Sequence, residues 1–237
     1  MLRKIVIIGP ESTGKSTLCE MLAQHYATEW CPEFAREWLL TNGRDYQFDD
    51  LLTIAKGQIA LEEEYSEKVR KTGRREDGKT ESLKDRKTGS EEGGFSITAT
   101  TNTNDATPVF RTSGLSDSSP QLLFLDTDMQ VMKVWCEYVF GDCHTWILNR
   151  IAERPYDLYL LCKPDLPWVQ DELREYPDEK PRQELYHIYR DMLIQQHTPW
   201  VEISGGYEER LQKAVQAVDG RRRRRKNNRR PTGDRLH

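Results

Sequence analysis

The stretch Gly9-Pro10-Glu11-Ser12-Thr13-Gly14-Lys15-Ser16 fits Gly-x-x-x-x-Gly-Lys-Ser/Thr, a spacing with a chemical reason behind it. Its glycines let the backbone curl until amide N–H groups point inward at phosphate oxygens, and a helix starting at once adds its dipole. Lys15 is expected to bridge the β and γ phosphates and the Ser16 hydroxyl to ligate Mg²⁺, so the chain is expected to bind a nucleoside triphosphate. A second centre is Asp126 in Leu122-Leu123-Phe124-Leu125-Asp126-Thr127-Asp128, a carboxylate closing an apolar run. In open parallel sheets that end of a strand faces the ligand crevice, so Asp126 is expected to hold Mg²⁺, directly or through water, opposite Ser16, the plainer reading being a helix N-cap. Asp128 reads as an acceptor contact, or as a helix N-cap or first-turn carboxylate.

Phosphoryl transfer to a hydroxyl also needs groups that orient the acceptor, take its proton and neutralise developing charge. Glu33 and Arg36, in Pro32-Glu33-Phe34-Ala35-Arg36-Glu37, suit those tasks; three apart at a helix start, they also read as a local surface ion pair. Arg174 and Arg182 follow a strong strand signal, where small-molecule kinases close a helical lid and bring arginines to the transferring group; each also reads as a surface residue. Lys15, Asp126, Glu33 and Arg174 form the candidate catalytic set, with Ser16 and Asp126 as metal ligands and the loop 9–16, Arg174 and Arg182 on the nucleotide. The five histidines form no metal or catalytic spacing.

These residues need a scaffold, and the chain supplies its signals. Residues 3–8 are a β-branched apolar run without alternation, which reads as a strand buried on both faces of a parallel sheet. Leu18, Met21, Leu22 and Tyr26 then recur at helical spacing. A short strand over 28–31, a helix over 34–40 and a long helix from Asp49 or Asp50 towards Val69 follow, then a strand at 122–126, helices over 129–139 and 145–153, and a strand at 157–162. Helices over 167–175 and 182–196, a strand at 200–203 and a helix over 207–218 complete the list. Strands alternating with helices specify an α/β, doubly wound, parallel five-stranded sheet flanked by helices.

Composition divides the chain. Residues 66–120 hold nine hydrophobic residues among 55 and a net charge of +1, whereas 221–237 hold one hydrophobic residue and a net charge of +8. The remaining 165 residues carry −13 of the overall −4 and enough apolar residues for one core. The expected organisation is therefore one domain over 1–220, interrupted by a low-complexity disordered insertion at 70–120, and a basic disordered tail at 221–237. An acidic body is a poor nucleic-acid surface, so nucleic-acid binding is expected at most from the tail. There is no run of 18 apolar residues and no signal-peptide core, so no membrane span is expected. Five scattered cysteines without a Cys-x-x-Cys pair point to a reducing cytoplasm.

With those motifs in view, residues 4–65 and 121–218 resemble the ribosylnicotinamide kinase domain of NadR-type proteins, among the P-loop small-molecule kinases of the AAA-type ATPase/kinase family. The matching blocks are 9–18, 33–37, Gly57-Gln58, 124–128 and 156–174, followed by Arg182. The resemblance implies ATP-dependent, Mg²⁺-assisted phosphorylation of the 5′-hydroxyl of nicotinamide riboside to the mononucleotide. It places Gly14, Lys15, Ser16 and Thr17 on ATP, Asp126 on the metal, and Glu33, Arg36 and Asp128 near the acceptor. Phe34, Trp38 or Tyr65 would suit stacking on the cationic nicotinamide ring. Because the sequence starts at the P-loop strand, the DNA-binding and adenylyltransferase activities of longer family members are not expected. Another nucleoside or small metabolite is the alternative acceptor, and an ATP-switched nucleic-acid binder the alternative class.

Overall fold

The computed structural model describes residues 1–82, 121–169 and 178–228, with side chains over 1–72, 121–169 and 178–220. Its elements are β1 (Arg3–Ile8), α1 (Lys15–Tyr26), β2 (Trp30–Cys31), α2 (Phe34–Asn42), α3 (Phe48–Ser82), β3 (Leu122–Asp126) and α4 (Met129–Phe140). They continue with α5 (Thr145–Glu153), β4 (Leu158–Cys162), α6 (Glu179–Gln195), β5 (Trp200–Ile203) and α7 (Tyr207–Asn228). The sheet order is β2-β3-β1-β4-β5, and every pair is parallel. Because β1 pairs with β3 on one side and β4 on the other, its carboxyl end opens at the centre of the sheet, where the ligand crevice of a doubly wound fold lies.

The unbroken apolar strands follow from burial on both faces. Ile5 and Ile7 join Leu18, Leu22, Phe124 and Ile203 under α1 and α7. Val6 and Ile8, one residue out of phase, join Leu125, Leu161, Leu185 and Tyr189 on the opposite face. A third cluster, built from Leu51, Ile54, Met132 and Ile147, glues α3 to α4 and α5. There Gly57 of α3 lies against the Phe34 ring, and a Cβ at this position would overlap the ring. Gly→Ala in a helix normally stabilises by about 0.5–1 kcal/mol. At Gly57 the sign is expected to reverse, to a loss of about 1–3 kcal/mol from overpacking. A denaturant midpoint above wild type for Gly57→Ala would remove this contact from the account.

Several boundaries differ from expectation. Thr28 folds back instead of starting β2: its N–H donates to the Ala23 carbonyl at 2.9 Å and its hydroxyl to the Leu122 carbonyl at 2.5 Å. The backbone of α3 runs to Ser82, not Val69, and that of α7 to Asn228, so helix reaches into both segments read as disordered. Arginine, lysine and glutamate propagate a nucleated helix beyond the end of its buried stripe, which is where hydrophobic periodicity stops being informative. Residues 83–120 of the expected insertion and 229–237 of the expected tail lie outside the described residues. α6 starts at Glu179 rather than 182, with Pro181 in its first turn, where the missing N–H is harmless. Residues 167–169 are not helical, and 170–177 of the helix expected there, Arg174 included, lie outside the described residues. No helix among the described residues is long and apolar enough to cross a membrane.

Candidate active site

The loop joining β1 to α1 is shaped by backbone that side chains rarely tolerate. Gly9 has φ of 146°, and a Cβ there would lie 2.6 Å from the Cys162 carbonyl oxygen. Gly14 has φ of 73° and is the N-cap of α1, with Leu166 and Tyr207 crowding the space a Cβ would take. Thr13 Oγ1 donates to the Pro10 carbonyl at 2.7 Å, tying the loop to itself. Residues 9–17 line a cleft of about 570 Å³, together with Glu33, Arg36 and Asp126. The sheet thus brings together groups from the loop after β1, the end of β3 and the start of α2.

Lys15 Nζ donates to the Pro10 carbonyl at 2.9 Å. Ser16 Oγ donates to Asp126 Oδ2 at 2.5 Å, while Asp126 Oδ1 is buried without a hydrogen-bond partner. Burial pushes the Asp126 carboxyl up, against the pull of Lys15 and the Ser16 hydroxyl. A hydroxyl and a carboxylate side by side, one oxygen still open, form a hard-oxygen donor set suited to Mg²⁺ held mainly by phosphate and water. No group of three or more His, Cys, Asp or Glu side chains with metal-binding geometry occurs among the described residues. Glu33 occupies the N-cap position of α2 without a side-chain cap hydrogen bond, and its carboxyl is pushed up to about 7, first by burial and then by the Asp126 charge, with Lys15 and Arg36 opposing. Glu33, Asp126 and Lys15 thus share one electrostatic neighbourhood within the cleft.

Residues 4–80 and 110–210 match a family model described as an AAA domain. The chain belongs to this family of ATP-binding P-loop domains. Among curated relatives, the AAA domain is 24% identical over 225 residues to the trifunctional NAD biosynthesis/regulator protein NadR of Escherichia coli strain K12, and 23% identical to that of Salmonella typhimurium. In both comparisons 92% of this chain aligns with 42% of the relative, so the chain spans less than half the length of the curated proteins it matches. Among solved structures, a NadR protein in complex with NR superposes with a TM-score of 0.63, and one in complex with NAD and AMP-PNP with 0.56. Both are 19% identical and cover 92% of this chain and 51% and 49% of theirs, a likeness of fold.

Other side chains of the AAA domain fall away from the positions the sequence suggested. Asp128 caps α4: Oδ1 accepts from the N–H groups of Gln130 and Val131 at 3.0 and 3.2 Å, and Oδ2 accepts from the Tyr159 hydroxyl at 2.6 Å. It is buried and does not line the cleft, so the helix-cap reading describes its placement. Arg182 is buried on α6 and donates to the Ser12 and Leu166 carbonyls at 3.4 and 3.3 Å, bracing the loop from behind. Phe34, Trp38 and Tyr65 do not line the cleft; its aromatic surfaces are Trp30, Trp135, Tyr138, Tyr189 and Tyr207. Phe34 and Trp38 pack into the α2–α3–α4 cluster because the apolar stripe of α2 faces α3.

Two buried side chains without an assigned role in the sequence hold this arrangement. Gln58 accepts from the Phe34 N–H at 2.7 Å and donates to the Pro32 carbonyl at 3.2 Å, fixing the turn that presents Glu33. Arg210, 1% exposed, donates to the carbonyls of Thr13, Lys163 and Gly205 and pairs with Asp165. It joins the loops after β1, β4 and β5 in one network. An arginine in the first turn of a helix rich in charged residues carries no sequence signal for this, whereas the Gly57-Gln58 pair interrupts the apolar pattern of α3 visibly.

Proposed function

We propose that the protein transfers the γ-phosphoryl group of ATP to the 5′-hydroxyl of a nucleoside, nicotinamide riboside, giving nicotinamide mononucleotide in NAD salvage in a reducing cytoplasm. One observation carries this reading: the P-loop, the Ser16–Asp126 pair, Glu33 with Arg36, and an aromatic wall of Trp135, Tyr138 and Tyr189 line a single cleft. A hydrolase needs only the first two, whereas the second half of this cleft provides room and recognition for a flat, organic acceptor. The NadR relatives, one solved with NR and another with NAD and AMP-PNP, support the same acceptor and donor.

In this reaction the loop amides and Lys15 hold the β and γ phosphates, and Tyr207 and Pro167 flank the other end of the donor. Ser16 and Asp126 would hold Mg²⁺, which neutralises charge on the phosphate oxygens when bound. Glu33 takes the proton of the acceptor hydroxyl as its oxygen bonds to the γ phosphorus and the bond to the β-phosphate oxygen breaks, releasing ADP. Arg36 offsets the charge gathered there. The aromatic wall would face a cationic nicotinamide ring.

The test is coupled ATP consumption with nicotinamide riboside and a panel of ordinary nucleosides. Preferred turnover of nicotinamide riboside is expected; a folded, ATP-binding protein that phosphorylates no nucleoside would overturn the reading. Asp126→Asn is expected to raise the Mg²⁺ concentration for half-maximal turnover by about tenfold or more. An unchanged Mg²⁺ requirement would move the metal away from β3.

A further inference from the structure

Thr127 carries two anomalies that no role assigned above explains. Its φ is 104°, a conformation that a β-branched side chain rarely adopts. Its side chain is 1% exposed, lines the cleft, and its Oγ1 is buried without a hydrogen-bond partner. The strain is enforced from both sides. Asp126 is in parallel register with Ile7, while Asp128 is fixed by the α4 N–H groups and the Tyr159 hydroxyl. The single residue between them absorbs the turn, at the carboxyl end of β3, between the loop after β1 that forms the phosphate cradle and the loop after β2 that carries Glu33.

The chemistry of the groups already present narrows what this hydroxyl meets. Phosphate oxygens only accept, and the P-loop N–H groups and Lys15 supply their donors. Metal-bound waters donate, and the open Asp126 Oδ1, which only accepts, suits them. A threonine hydroxyl both donates and accepts, and the matching ligand group is another hydroxyl. We propose that Thr127 Oγ1 binds a sugar hydroxyl of the acceptor, making it a specificity-determining residue on the acceptor side of the cleft. Its strained backbone keeps the hydroxyl in place before the acceptor arrives.

The inference rests on the kinase reading above, and the experiment separates the two. Thr127→Val, Thr127→Ala and Thr127→Ser are compared with wild type by steady-state kinetics on nicotinamide riboside, calorimetric titration of ADP with Mg²⁺, and thermal unfolding. Valine and alanine are expected to raise the KM for the acceptor tenfold or more, with ADP affinity within about twofold of wild type, and serine to restore the KM to within about threefold. An unchanged acceptor KM, a matching loss of ADP affinity, serine as poor as valine, or failure of both hydroxyl-free variants to fold each overturns the role of Thr127. Wild type that ignores nicotinamide riboside removes the named substrate alone, and the variants are then read with the nucleoside the panel identifies. Wild type that takes no hydroxylated acceptor overturns both.

Discussion

Lys15→Ala is expected to lower kcat by about 1000-fold while the protein stays folded. Lys15 lines the cleft and, in the free protein, is held by the Pro10 carbonyl within the phosphate loop. Removing one preorganised donor from a site of charge development costs on the order of 10²–10³ in rate, and this substitution removes a full positive charge as well. It also takes away the cation that opposes the upward push on Asp126 and Glu33, so both carboxyls should hold their protons to higher pH. The change removes one contact to a loop carbonyl and no buried apolar surface, so the melting temperature should change little. The check is single-turnover phosphorylation at saturating ATP, beside an ADP titration. A loss of less than tenfold would mean that transfer does not run through this loop.

Glu33→Gln is expected to remove about 10²–10⁴ of the rate and to change the shape of the pH profile, which a purely structural role would not do. In wild type the carboxyl ordinarily ionises near 4.5 and is pushed up to about 7 in the folded protein. A base must be deprotonated, so kcat/KM should climb with pH and level off above about 7. In Glu33→Gln that climb should vanish along with most of the activity. The same shift has a stability sign. A pKa raised on folding means that the folded state binds the proton more tightly, so the contribution is full below about 4.5 and is lost as pH rises through about 7. Thermal stability of wild type without nucleotide should therefore fall across that window, and Glu33→Gln should lessen the dependence, leaving the part that other buried carboxyls contribute. Asp128 is also pushed up to about 7, by burial. A profile that keeps its climb in Glu33→Gln would assign the titration to another group, such as Asp128.

What the residues revealed in advance follows a physical divide. The phosphate loop was legible because its chemistry is made of backbone: Gly9 and Gly14 occupy conformations that exclude most side chains, and such positions announce themselves by residue type. Asp126 was legible because a carboxylate at the end of a fully buried strand has few places to go. Asp128 and Arg182 were placed in the right neighbourhood but with their side chains turned to scaffold, because neighbouring residues on a chain face opposite ways and sequence does not show which way a turn rotates them. The aromatics that line the cleft differ from those singled out in the sequence for a related reason. Phe34 and Trp38 adjoin Glu33 in sequence, whereas Trp135, Tyr138 and Tyr189 reach the cleft from α4 and α6, more than 90 residues later in the chain. Helix ends at Ser82 and Asn228 were missed because periodicity measures packing and propensity measures continuation.

The residue before β3 is tied both to α3, well before that helix ends, and to the start of β1, at the end of the sheet away from the cleft. Gln121 Nε2 donates to the Val69 and Arg70 carbonyls at 3.1 and 3.4 Å, and the Gln121 carbonyl accepts from the Arg3 N–H at 2.8 Å. β3 then runs its full length before reaching Asp126, so this junction and the cleft lie at opposite ends of the same strand. The domain therefore has a natural port. Chain linking α3 to β3 re-enters the domain there, so its length can change with a closure cost that grows only logarithmically, while the strand between separates that change from the cleft.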